Sequence, residues 1–234
     1  MDLRPEQRWK RGYLETPETG QFWKATAFDP KSKLRVARTV GKRDQALLER
    51  LLEQVAQRVV ETPALASDQL PAYPDAVVEV FGEVPPYGGR GRPPSKKRLT
   101  TELCYGQVVK QREGGRVVAI TERIVFGDEE QTRAALGGRV STSGVERTQL
   151  SSRQSNGRLV RKTLSFSKKR EMLEWACAWE DLVYNFARPV KTLRVEVEEA
   201  GRRWRERTPA MAAGLTDHVW TVKELAEFIV LPRG

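Results

Sequence analysis

Between residues 43 and 60, six apolar residues (Leu47, Leu48, Leu51, Leu52, Val55 and Val59) recur at helical spacing. Two runs of strand character, "QFWKATAF" and "LRVARTV", precede this stretch and are joined by the turn sequence "DPKSK". Behind it, "ALAS" reads as a short strand ending directly on Asp68, and "PAYPDAVVEVF" as a helix started near a proline. Strand, strand, helix, strand, helix leaves little choice of class. Helices of this kind must bury one face against a sheet, so the expectation is an α/β fold with a mixed sheet flanked by helices.

The remainder is less regular. "ELCYGQVVKQ" and "RVVAITERIVF" flank "REGG" and predict a β-hairpin. A loop is expected to about Val140, then a helix over roughly 142–160 and a second over about 168–187. In the second helix Met172, Trp175, Ala176, Trp179, Leu182, Val183 and Phe186 form an apolar stripe, which predicts the core-facing side. Thr221 and Glu224 have capping-box spacing and start a short final helix. The expected organisation is a core over 1–187 with an insertion at about 82–140, and a basic tail with a short helix over 188–234.

The chemistry of the side chains narrows the function. The two cysteines, Cys104 and Cys177, form neither a CxxC pair nor a disulfide framework. His218 is the single histidine, which argues against histidine-rich metal sites and a Ser-His-Asp triad. No apolar run has the length of a membrane span, and the first residues lack the apolar core of a signal peptide, so a cytoplasmic protein with no membrane partner is expected. Net charge is +10, and its location matters more than its size. Residues 84–101, containing "GGRGRPPSKKRL", carry +5 and residues 151–170 carry +7, neither with any acid, so the rest of the chain is −2. Confinement to two stretches is the pattern of a polyanion-binding surface, against the alternative of a solvated lysine- and arginine-rich face. The candidate DNA contacts among them are Arg90, Arg92, Lys96, Lys97 and Arg98 in the first, and Arg153, Arg158, Arg161, Lys162, Lys168 and Lys169 in the second, with Arg147 just ahead of it.

Hydrolytic or transfer chemistry would then rest on carboxylates and hard metal ions. Asp68 stands at the end of a strand, where open α/β sheets meet ligands. Glu146 stands early on a helix and shares a face with Leu150 and Arg153. Acids that hold divalent ions beside basic residues that hold strands suit phosphoryl transfer. The plainer alternatives are that Asp68 caps the next helix and Glu146 pairs with a neighbouring arginine.

Six segments in chain order carry a resemblance: "SDQLPAYPDAVVEVFG", "YGQVVKQREGGRVV", "STSGVERTQL", "RKTLSFSKK", "YNFARPVKTLR" and "TPAMAAGLTDHVW". Together they resemble bacterial insertion-sequence transposases of the DDE type, those allied to the insertion-sequence-one family, from "GQFW" to "TVKEL". The resemblance implies an RNase H-like core with a basic linker and hairpin inserted in it. It implies three acids that bind magnesium or manganese, cut the element's ends and join them to target DNA. Its partners would be double-stranded DNA and further copies of the chain. The second acid falls on Asp68, between Ser67 and Gln69, and the third on Glu146 within "VER", 78 residues later. The family's first acid belongs to an Asp-Glu pair in a strand before "GQFW", where this chain offers only Asp2, followed by Leu3. Asp29 matches a turn and is no substitute. Gln69 stands where the family has glycine, and Val190 where it commonly has histidine. The zinc-binding and helix-turn-helix segments of a complete transposase do not occur in these 234 residues, so the resemblance covers the catalytic portion.

Two functions follow as expectations. One is DNA transposition by a metal-dependent strand transferase; the other is a catalytically decayed or repurposed DNA-binding protein of that descent. Arg90-Gly91-Arg92-Pro93 also resembles an AT-hook core, in which arginines lie along a narrow minor groove, the alternative being an inert linker.

Overall fold

The first two predicted strands pair with each other, β1 (Trp23–Phe28) with β2 (Arg35–Gly41). The turn between them is fixed by Asp29, whose carboxylate accepts from the amides of Lys31 and Ser32 at 3.0 and 2.9 Å. In this computed structural model, residues 22–88, 92, 94, 96–99, 103–160, 163–199 and 201–230 are described. They form a mixed α/β fold with small open sheets, and no helix among them is long and apolar enough to cross a membrane. The chain divides into two compact units. One contains the described residues up to Val36, Val40–Lys42 and those from Arg147 onward; the other contains Ala37–Thr39 and Arg43–Glu146.

The second unit is built on a three-stranded sheet ordered β3 (Leu65–Asp68), β4 (Tyr105–Glu113), β5 (Arg116–Phe126). β3 runs parallel to β4, and β4 antiparallel to β5. The hairpin closes on Gly114 and Gly115 at φ 54° and 80°, the two positive values that a tight hairpin turn requires. Helix α1 (Gln45–Ala56) starts where Asp44 accepts from the Leu47 amide, and it buries Leu47, Leu48, Leu51, Leu52 and Val55 as the spacing predicts, while Val59, the sixth of that period, lies beyond its end and is half-buried. Helix α2 (Ala72–Phe81) adds Ala76 and Val77 to a core completed by Leu103 and Tyr105. The basic insertion begins where Gly82 ends α2, and its two ends are pinned by reciprocal backbone bonds between Glu83 and Arg98, both 2.9 Å.

Four expectations need correction here and in the first unit. The stretch expected as loop contains helix α3 (Glu129–Ala135), capped by Asp128 through the Gln131 amide and held by Thr132, which is fully buried. It is one polar helix of two turns, too short to display a period. Helix α4 (Ser143–Ser155) follows, ending earlier than expected, with a short 3-10 turn at Gly157–Leu159.

In helix α5 (Arg170–Leu182) the predicted stripe is out of phase with the buried face. Met172 and Trp175 are exposed, Trp179 partly so, and the buried positions are Leu173, Cys177, Glu180 and Asp181. An acidic face could be buried because the first unit supplies Lys24 and Arg35 to neutralise it. A π-helical turn, Val183–Ala187, continues α5. The segment expected as a tail forms a hairpin, β6 (Val195–Glu199) with β7 (Arg202–Arg205), and helices α6 (Pro209–Ala212) and α7 (Val222–Val230). It packs within the first unit: the Trp220 amide donates to the Phe186 carbonyl at 3.1 Å, and the two rings meet edge to face. The capping box at α7 forms as read, with Thr221 N–H on Glu224 and Glu224 N–H on Thr221 Oγ1.

Candidate functional site

Alternation along β4 sorts the site residues. Tyr105 and Gln107 point to the face covered by α1 and α2; Gly106, Val108 and Lys110 point to the other. Asp68 is in register with Val108, so it belongs to the second face with Lys110, two residues further along β4. Lys110 Nζ bonds Glu146 Oε1, which also accepts from Thr142 Oγ1 at 2.9 Å. Asp68 and Lys110 thus share one sheet face by register, and Lys110 engages Glu146. The Lys110 ammonium holds the Glu146 carboxyl below its ordinary range, against the opposing effect of partial burial. Neither plainer alternative describes these acids. Asp68 Oδ1 accepts from the Leu70 amide at 3.2 Å, a turn contact, while α2 begins at Pro71 without a side-chain cap. Glu146 takes a lysine from the sheet rather than an arginine from its own helix.

Gly106 sets the approach of the Glu146 segment to this face. A Cβ at that position would lie 2.7 and 3.0 Å from the two methyls of Val140. Val140 is buried and leads into Thr142 and Glu146, so bare backbone at 106 lets the segment seat on the sheet. On the opposite face a polar chain lies behind Asp68. Ser67 Oγ and Tyr105 Oη are 2.7 Å apart, Gln107 Nε2 donates to Tyr105 Oη at 2.8 Å, and Arg123 donates to Gln107. Burial raises the Tyr105 phenol, and it pushes Tyr73 up to about 12; the charge of Asp68 adds to both shifts.

The basic residues are placed unequally. Arg147 and Arg153 are exposed along α4, Lys168 and Lys169 are exposed at the start of α5, and Arg158 is half-buried. Lys97 is committed to Glu79 at 3.0 Å, while Arg92, Lys96 and Arg98 are exposed. Arg90, Arg161, Lys162 and Asp2 lie outside the described residues, as does most of the hook-like motif.

Sequence reasoning missed the cluster that organises the first unit. Lys24 Nζ lies 3.0 Å from Glu180 Oε2 and 2.6 Å from Asp181 Oδ1. Arg35 Nη1 bonds both acids, its Nε donates to Thr148 Oγ1 at 2.8 Å, and its Nη2 to the Thr148 carbonyl at 3.2 Å. Ser152 Oγ donates to Glu180 Oε2 at 3.0 Å and accepts from Lys24. All four charged side chains are nearly inaccessible to water. Burial works against an ionised Glu180, but Arg35 and Lys24 outweigh it and hold the carboxyl below its ordinary range. The Arg35 guanidinium sits 3.8 Å over the Tyr184 ring, and Asn185 exchanges two bonds with the Arg35 backbone, at 3.0 and 3.1 Å. The cluster therefore fastens α4 at Thr148. The adjacent acids within an apolar helix were the only signal for it in the sequence.

Among the described residues no group of three or more His, Cys, Asp or Glu side chains is placed to hold a metal ion. The geometry defines an α/β protein with a lysine-held glutamate beside its three-stranded sheet and a separate buried ion cluster. No family model, curated protein or solved structure matches the chain.

Proposed function

We propose that this chain is a DNA-binding protein of the DDE insertion-sequence transposase kind, with an RNase H-like core in which Asp68 and Glu146 are the second and third acids. One observation carries the reading: Asp68, by its register with Val108, shares a sheet face with Lys110, and Lys110 bonds Glu146, the acid 78 residues further along the sequence. Arg147 and Arg153, which follow Glu146 on α4, are exposed and are of the type that binds phosphates.

Carboxylate oxygens are the donors that magnesium and manganese take, and such ions polarise a phosphodiester and activate the attacking oxygen when bound. The donor chemistry fits and the donor number does not, because the described residues supply two acids, one of them engaged by a lysine. No step is therefore assigned to an ion. What the protein's own residues do is hold Glu146 ionised through Lys110, aim it through Thr142, and present arginines to the backbone of DNA. The same lysine engagement favours a second reading, a DNA-binding protein that has lost or never needed strand transfer.

Strand cleavage and joining with magnesium, measured beside duplex binding across a salt series, decides between them. Binding should fall with a log–log slope of roughly 0.9 per phosphate contacted. Metal-dependent cleavage that Asp68→Ala and Glu146→Ala each abolish, with binding intact, establishes the transferase. Salt-dependent binding without cleavage establishes the second reading. A chain that binds no DNA overturns both.

A further inference from the structure

We propose that the first unit carries a pocket for an unstacked nucleotide, a base against Phe166 and Trp179 with its phosphates on Arg158 and Arg188. The cleft has a volume of about 680 Å³, within the range of about 300–1,000 Å³ that accepts a small-molecule-sized group. Phe166 and Trp179 line it, and they remain 47% and 39% exposed, so large aromatic surfaces are presented rather than spent in the core. Tyr184 forms a further wall, with Arg35 stacked over its ring.

The charge of the cleft is positive by construction. Arg158 Nη1 donates to Ser167 Oγ at 2.9 Å and Arg188 Nη1 to Ser155 Oγ at 3.3 Å, so both guanidiniums are held by hydroxyls. Glu180 is the one acid of the lining, and Lys24, Arg35 and Ser152 already satisfy it. Aromatic faces take bases by stacking and guanidiniums take phosphates, and the two together recognise a nucleotide whose base is free of its neighbours. A duplex keeps its base faces stacked, so the occupant is a single strand or an extruded base.

This inference rests on the proposed reading that the chain engages DNA, and the probes separate the two. Three labelled probes are compared at one salt concentration: short oligo-thymidine, an abasic oligonucleotide of the same length and charge, and a blunt duplex. The native chain should prefer oligo-thymidine over the abasic strand by about tenfold, as expected for a stacked base. Trp179→Ala and Phe166→Ala should each remove most of that preference while leaving duplex affinity unchanged. Trp179→Phe keeps a stacking face and should keep the preference, which guards against a folding defect. Arg188→Gln should weaken both single-stranded probes alike. If the duplex binds but thymidine and abasic strands bind equally, or the preference survives both alanine changes, the pocket proposal is wrong and the DNA-binding reading stands. Binding of no probe overturns both.

Discussion

At the scale of single residues, the second unit depends on one missing methyl group. Gly106 lies where the Val140 methyls approach β4, and the Val140 segment leads into Thr142 and Glu146. Alanine there must either push Val140 off the sheet or distort β4, since a contact of 2.7 Å cannot be kept. Overpacking of this kind costs about 1–3 kcal/mol. Gly106→Ala is thus expected to lower unfolding free energy by that amount in denaturant titration. It should also weaken the Lys110–Glu146 bond, which a return of the Glu146 carboxyl toward its ordinary range by NMR titration would reveal. Unchanged stability together with an unchanged Glu146 titration would show that Val140 does not set the position of this segment.

At the scale of elements, the parts written by local periodicity were legible and those written by distant partners were not. α1 carries its apolar residues at strict helical spacing, and the hairpin announces itself by Gly114-Gly115 between alternating runs. Asp68 could be placed at a strand end and Glu146 on a helix because both positions follow from such local signals. The Lys110–Glu146 bond and the place of Asp68 beside Val108 could not be read, since they depend on the register of β3 with β4 and on a partner 36 residues away. α5 shows the same limit more sharply. Its buried face contains Glu180 and Asp181 only because Lys24 and Arg35 arrive from β1 and β2, and no helical period can encode a partner more than a hundred residues away. In the segments "YNFARPVKTLR" and "TPAMAAGLTDHVW", Asn185 fastens β2 and the buried Thr208 caps α6. A buried cluster of this kind makes a firm prediction. Arg35→Met leaves two acids facing Lys24 alone, and breaking such an arrangement costs about 3–5 kcal/mol. Adding Glu180→Gln should recover part of the loss, because the uncompensated charge is removed with its partner. A cost below about 1 kcal/mol for Arg35→Met alone would mean that the cluster is not closed in solution.

At the scale of the whole molecule, buried groups in the two units make stability depend on pH at both ends of the range. Glu180 in the first unit has its carboxyl held below the ordinary 4.5, chiefly because Arg35 and Lys24 overcome its burial. Its contribution is present above pH 4.5 and is lost as pH falls through the lowered native value. Tyr73 in the second unit runs the other way. Burial, helped by the charge of Asp68, lifts its phenol from 10.0 to about 12, so its contribution is complete below pH 10 and is lost as pH rises toward 12. A shift of that size corresponds to about 3 kcal/mol. Denaturant titrations across pH should show an acid limb that Glu180→Gln alters and an alkaline limb that Tyr73→Phe reduces, the part left belonging to Tyr105. The alkaline limb also reports on the candidate site. Because the Asp68 charge raises Tyr73, Asp68→Asn should let Tyr73 ionise at lower pH, visible as an earlier rise in phenolate absorbance. Arg43, the cation whose charge acts on Tyr73 in the opposite sense, is untouched by that change. An identical phenolate titration in the native chain and the Asp68→Asn variant would place the Asp68 charge away from Tyr73, and with it the acid that the proposed function requires at the end of β3.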